Sequence, residues 1–174
     1  TSQTIFVAEG QTDIRISEGF ESGDLGNFTV ENPDGATTWE ATTATGNGGQ
    51  FAAFVNNYNY NAPGQVDRLL FPLQDFSSVS NVRLELEYAY VRYSTTLEDQ
   101  LRIVVETPNG SEEVFFGDED GTGNFATGFI STNFFRPNEP DDWCFNGPAC
   151  IDLDLSQYDG QSNVQIVIEN INGY

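Results

Sequence analysis

Along most of the chain, apolar and polar residues alternate with a period of two, and helical periodicity is nearly absent. In the segment from Arg83, Leu84, Leu86, Tyr88 and Tyr90 share one face, with Arg83, Glu85 and Glu87 opposite. Leu101, Ile103 and Val105 repeat the pattern against Arg102 and Glu106, and Val164, Ile166 and Ile168 against Gln165 and Glu169. Shorter runs at Thr4 to Val7, Phe28 to Val30, Phe51 to Val55, Leu69 to Phe71 and Glu113 to Phe116 predict further strands. Thr107-Pro108-Asn109-Gly110-Ser111 is a tight-turn sequence, so 100–117 reads as a hairpin. Ser156 to Gly160 predicts one short helical turn.

Many short strands separated by turn residues predict an all-β fold: a two-sheet antiparallel β-sandwich of the jelly-roll type with little helix. Residues 16–174 read as one domain, and 1–15 as an N-terminal linker or edge strand. The segments 32–50, 117–128 and 131–149, rich in Gly, Asn, Asp and Thr, are expected to be long loops. Loops of that length in a compact β domain are usually functional or pinned by an ion. A core strand through Ile166 to Asn170, followed by Asn172-Gly173-Tyr174, suggests that a closing strand lies beyond the given sequence.

Composition narrows the chemistry. The 174 residues carry 27 Asp and Glu against 6 Arg, for a formal charge of -21, and contain neither Lys nor His. The absence of His excludes Ser-His-Asp triads and His-ligated zinc or haem. The absence of Lys excludes Schiff-base chemistry and a phosphate-binding P-loop. With no basic patch to release counterions, nucleic acid is not an expected partner, and no apolar run supports membrane insertion. The 14 Phe, 7 Tyr and repeated Val/Ile alternation separate the chain from disordered acidic sequences. A folded domain of this charge suits a saline medium, where screening weakens self-repulsion; solubility alone is the plainer explanation. Cys144 and Cys150 flank an Asn146-Gly147-Pro148 turn signal, which favours a disulfide over two free thiols.

A carboxylate- and amide-rich chain of this kind can hold calcium, which takes oxygen ligands from Asp, Glu, Asn and carbonyls. Three segments qualify. Glu18 and Glu21 lie three residues apart, Asn32-Pro33-Asp34-Gly35 is a turn with two oxygen side chains, and Asp118 to Asn124 places Asp118 and Asp120 at alternate positions before glycine turns. The last resembles half of an EF-hand loop without its closing Glu. Solvated turns are the simpler reading of all three, because Asp, Asn and Gly favour turns in any case. Acid pairs are too frequent here to single out a glycosidase couple, and no catalytic residue is assigned. Trp39, Trp143, Tyr58, Tyr60 and Tyr93 are candidate sugar platforms, with core packing the alternative for each ring taken singly; Tyr58 and Tyr60 sit in an Asn-rich loop.

Several stretches taken in order resemble a family. Ser17-Glu18-Gly19-Phe20-Glu21-Ser22-Gly23 with Asn27-Phe28 is similar to its opening strand. Asp34-Gly35-Ala36-Thr37-Thr38-Trp39, Phe54 to Tyr60, Asp67 to Pro72, Leu84 to Tyr90, Asp99 to Ile103, and Trp143 with Ile151 to Ser156 resemble its later motifs. The family is that of the cleaved-adhesin and choice-of-anchor J domains, MAM-like, concanavalin-like jelly rolls of secreted bacterial proteins. The resemblance implies a non-catalytic, secreted or cell-surface accessory module for adhesion or recognition, carried on a larger exported protein of the type IX secretion route. It also implies calcium near the first strand, held by Glu21 and Asp34, with Glu18, Asn56 and Asn57 as weaker candidates. The family's closing-strand Asp has no counterpart here, and the Cys144/Cys150 pair is a local addition. Two other functions stay open: a carbohydrate-binding module using Tyr58, Tyr60 or Trp39, and a subunit of a surface layer or filament. The expected partners are accordingly a carbohydrate or protein surface ligand, the rest of a parent protein, or neighbouring subunits.

Overall fold

The alternating segments become strands because each offers one apolar face for burial and one polar face for water. The computed structural model of the chain describes residues 3–7, 16–118, 125–144 and 150–174. Its strands are β1 (Gln3–Val7), β2 (Ser17–Glu18), β3 (Thr29–Glu31), β4 (Glu40–Thr43), β5 (Phe51–Phe54), β6 (Val66–Leu70), β7 (Gln74–Asp75), β8 (Val82–Leu86), β9 (Gln100–Thr107), β10 (Gly110–Gly117), β11 (Ile151–Asp154) and β12 (Ser162–Ile171). All pair antiparallel. One sheet runs β11-β8-β1-β2 and the larger one β10-β9-β12-β6-β3, with β7 alongside β12. A separate ribbon pairs β4 with β5. In the smaller sheet β1 lies between β8 and the two-residue β2.

Both sheets contribute to one core. Leu84 and Leu86 from β8 and Ile151 from β11 share a cluster with Leu69, Ile103, Val105, Val164, Ile166 and Ile168 of the larger sheet. Leu69, Leu84, Ile103, Val105, Val164 and Ile166 are completely buried, at 0% exposure. An aromatic series extends it: Phe28 meets Phe71 edge-on at 4.9 Å and Phe20 at 5.4 Å between ring centres. This is an all-β antiparallel sandwich.

The predicted hairpin forms as β9 and β10, with a bulge between Glu113 and Phe115. The helical turn is a short 3-10 segment at Ser156–Tyr158. The expected loop 32–50 is broken by β4, whose Glu-Ala-Thr-Thr sequence carries no strong alternation and which, among the described residues, pairs with β5 alone. Within 131–149, Pro140–Asp142 forms a 3-10 turn, and 145–149 lies outside the described residues. Cys144 and Cys150 form a disulfide with Cα atoms 5.2 Å apart.

On the solvent face of the larger sheet, register places Glu31, Arg68, Glu169 and Arg102 in one row across β3, β6, β12 and β9. The charges alternate along it. Arg68 pairs with Glu31, Glu106 and Glu169, and Arg102 with Glu169 at 2.5 Å. The Glu169 side chain is 8% exposed and is met by a guanidinium on each side. Opposite charges on neighbouring strands fix register, because a one-residue slip would move the row to the core face.

Candidate functional site

Antiparallel pairing brings the starts of β6 and β9 and the ends of β5, β8 and β12 to one end of the sandwich. There the connecting segments enclose a cleft of about 390 Å³. Its floor comes from both sheets, through Leu86, Leu101, Ile151 and Ile168. Its walls are the loops around Tyr58, Tyr93 and Phe134, together with Tyr174. These four rings are large, apolar and 40–42% exposed. Tyr58 meets Phe134 at 5.8 Å and Tyr93 at 6.1 Å, both edge-to-face, and Tyr93 leans on Tyr174 at 5.9 Å. In each edge-to-face pair the edge of one ring meets a face of the other, which fixes the tilt of the rings. The Arg136 guanidinium lies 5.4 Å from the Phe134 ring centre and 5.9 Å from that of Phe54, which steadies the outer wall.

Backbone bonds hold these loops in place. Ala62 N–H donates to the Tyr174 carbonyl (2.8 Å), Gly64 N–H to that of Asn172 (2.7 Å), and the Asn172 amide to that of Tyr60 (2.6 Å). Ser131 N–H donates to Arg92 O (2.9 Å) and Thr127 N–H to Tyr90 O (2.8 Å), tying the second wall to the third. Gly173 is required by proximity: a Cβ there would sit 1.9 Å from the Glu98 carbonyl oxygen.

The polar part of the cleft is small and ordered. Asn57 and Asn170 exchange side-chain amide bonds at 2.8 and 3.1 Å. Asp99 accepts from Gly173 N–H at 2.9 Å, with the Asn57 amide also directed at it. Burial pushes the Asp99 carboxyl above the usual carboxylate range, the two hydrogen bonds opposing it. An acid whose folded pKa is raised costs no stability below its unfolded pKa. The cost appears as pH climbs from there and is complete above the folded pKa. Asp99→Asn is therefore expected to gain stability relative to the parent as pH rises from about 4 to 7. Paired urea melts at both pH values check this; an equal difference at both would contradict it.

The sequence candidates fall in different places. Tyr58 stands in the cleft wall, while Tyr60 is 4% exposed and its hydroxyl donates to Asp34 at 2.7 Å, so its ring is not a platform. Trp39 lines the cleft from below, partly buried, with its indole N–H on the Asp67 carbonyl (3.0 Å). Trp143 is buried and donates to Thr45 O at 2.7 Å. Glu21 accepts from Gln50 N–H (2.9 Å) and Phe51 N–H (3.2 Å), fastening the start of β5. Glu18 accepts from the backbone of Phe20, a residue in the left-handed region at φ 60°. Asp34 accepts from Ala36 N–H (3.0 Å) as well as from Tyr60, and those bonds hold its carboxyl below the usual range. Asn57 belongs to the amide pair described above, and the Asn56 side-chain oxygen is buried without a hydrogen-bond partner. Asp118 is buried; Asp120 lies outside the described residues. Among the described residues, no three acidic or Cys side chains gather as a metal-binding group.

The alternation pattern did not point to Phe134, Tyr174, Asp99 or Asn170 as cleft residues, since they converge from segments distant in sequence. It did hold a signal for Asp67. That residue has the same parity as Leu69 and Phe71, so its carboxylate faces the core.

No protein-family model matches the chain, and no curated protein does. One solved structure, from work on the promiscuous specificity of carbohydrate-binding modules of the β-sandwich superfamily, overlaps 99% of this chain and 78% of its own. The identity is 12% and the TM-score 0.39, too loose an overlap to carry residue roles across. The β-sandwich follows from the strand order itself. No helix among the described residues is long and apolar enough to cross a membrane.

Proposed function

We propose that this domain is a non-catalytic recognition module that binds carbohydrate in its end cleft. One observation carries the reading: four exposed rings, Tyr58, Tyr93, Phe134 and Tyr174, surround a small set of ordered amides and one carboxylate. A sugar ring presents C–H faces that stack on aromatic faces and hydroxyls that need fixed donors and acceptors. Asn57, Asn170 and Asp99 supply the latter. Among the described residues lining the cleft, Asp99 is the single carboxylate, whereas glycoside hydrolysis ordinarily needs a pair. The strongly acidic chain favours neutral over anionic saccharides.

The wider setting, an accessory domain of a larger exported or surface protein of the cleaved-adhesin or choice-of-anchor J kind, is proposed on the sequence resemblance. The disulfide supports an oxidising compartment.

A panel of neutral oligosaccharides, screened on an array and followed by calorimetry, tests the function. Tyr58→Ala is expected to weaken binding at least tenfold, about 1.4 kcal/mol. Phe129→Ala, which removes a ring 97% exposed and not among the cleft residues, is expected to leave affinity unchanged. Absence of binding across the panel, or equal affinities in parent, Tyr58→Ala and Tyr93→Ala, would remove the reading.

A further inference from the structure

The polar set in the cleft is lopsided. Asn57 directs its amide hydrogens at groups of the protein itself, Asn170 Oδ1 at 2.8 Å and the Asp99 carboxylate. Asn170 returns one of its own to Asn57 Oδ1 at 3.1 Å. A side-chain amide has two such hydrogens, so the pair keeps at most one donor for a ligand. Acceptors are in surplus. A carboxylate offers about four lone-pair sites, and Asp99 receives Gly173 N–H and the Asn57 amide. Asn56, another residue of the cleft lining, has its side-chain oxygen buried without a hydrogen-bond partner. Charge leans the same way. Among the described residues lining the cleft, Asp99 is the single charged side chain and none is basic. Arg92 is paired with Glu98, and Arg136 touches Phe134 and Phe54 without belonging to the lining. Burial pushes the Asp99 carboxyl upward, with no cation among the groups acting on it. Aromatic faces are negative at their centres, and Phe134, Tyr58, Tyr93 and Tyr174 follow one another in ring contact along the wall. The Arg136 guanidinium on Phe134 shows a cation already settled on one member of that series.

We infer that the saccharide taken by this cleft carries a protonated primary amine, held by Asp99 and the aromatic wall. An ammonium has three donors and no acceptor, which complements a polar set rich in acceptors and poor in donors. A hydroxyl in the same place donates once and turns lone pairs toward groups that have nothing to give them. An ammonium also supplies the positive charge that the lining lacks, and it gains from ring faces that a hydroxyl does not engage in this way. The C–H face of the sugar still needs the rings, so the inference rests on the carbohydrate reading and narrows it to amino sugars. Asp99 is then the residue that sets the preference.

Three short oligosaccharides of one β-linked glucose backbone make the test. They differ at the second carbon alone, which bears an amine, an N-acetyl group or a hydroxyl. Each is titrated into the chain by calorimetry at about pH 6, where a sugar amine is charged. The amine is expected to bind about tenfold more tightly than the hydroxyl and N-acetyl forms. In Asp99→Asn that ratio is expected to fall to about one, whatever happens to the affinities themselves. Glu112→Gln removes the same charge on β10, opposite Val105 and away from the cleft lining, and is expected to keep the ratio. The preference should also survive molar salt, which screens the diffuse field of a chain of charge -21 far more than a contact pair in a cleft. A preference that vanishes in salt, or that falls equally in Glu112→Gln and Asp99→Asn, would assign it to net charge and overturn the inference. Should Asp99→Asn not fold, the parent's ratio and its salt dependence decide alone. Equal binding of all three sugars, lost in Tyr58→Ala, would remove the amine and leave the carbohydrate reading intact. No binding of any of the three would count against both.

Discussion

Replacing Arg68 with leucine is expected to destabilise the domain by about 3 kcal/mol, the scale of removing one partner from a partly buried charge network. Its side chain is 21% exposed and faces three carboxylates, of which Glu169 is 8% exposed. Without it, Glu169 keeps Arg102 alone among the described residues, while Glu31 and Glu106 lose the guanidinium they face in a chain of charge -21. The loss is expected to shrink in molar salt, where the Debye length falls to about 3 Å. Glu31→Gln should cost much less, because the Glu31 side chain is 48% exposed and its pair is well screened. Urea midpoints at low and high salt measure both variants. A change below about 0.5 kcal/mol for Arg68→Leu, the ordinary range of surface substitutions, would show that the charged row does not hold the sheet.

Phe71→Ala should cost about 4 kcal/mol by the usual scale for emptying an aromatic core site. Phe71 is 2% exposed, and its backbone N–H donates to Ile166 O at 3.0 Å just beyond the end of β6. The ring abuts Phe28, which in turn meets Phe20, so truncation opens a void along a series of three rings. Phe71→Leu retains most of the volume and should cost about 1 kcal/mol. Equal losses for the two variants would mean that the site collapses around either side chain and that the ring series contributes little.

The core was legible from residue order because burial imposes a strict parity. Leu84, Ile103, Val105, Val164, Ile166 and Ile168 each follow it, and all are at most 3% exposed. β4 was not legible, since its partner among the described residues is β5 alone and its side chains are exposed or half-buried. The cleft was legible in part. Tyr58 stood out as an aromatic in an Asn-rich loop and Tyr93 was one of five candidate rings, but Phe134 and Tyr174 join them only once three loops and the β12 end converge. Tyr60 shows the limit of local composition: two residues from Tyr58, it turns inward because Asp34 offers its hydroxyl a partner. Asp67 shows the converse, an acid whose strand parity reveals more than its charge.

The cleft opens where strands terminate rather than across a sheet face. Its contour is therefore written in three connecting segments, around 55–60, 88–99 and 131–135, whose length and side chains are independent of the inter-strand ladder. Exchange of those segments retunes depth and rim chemistry while every rung of both sheets stays in place. Under the proposed function, the same sandwich frame would serve as a chassis for graded selectivity, and a ligand would enter tip-first along the strand axis instead of lying crosswise over a sheet face.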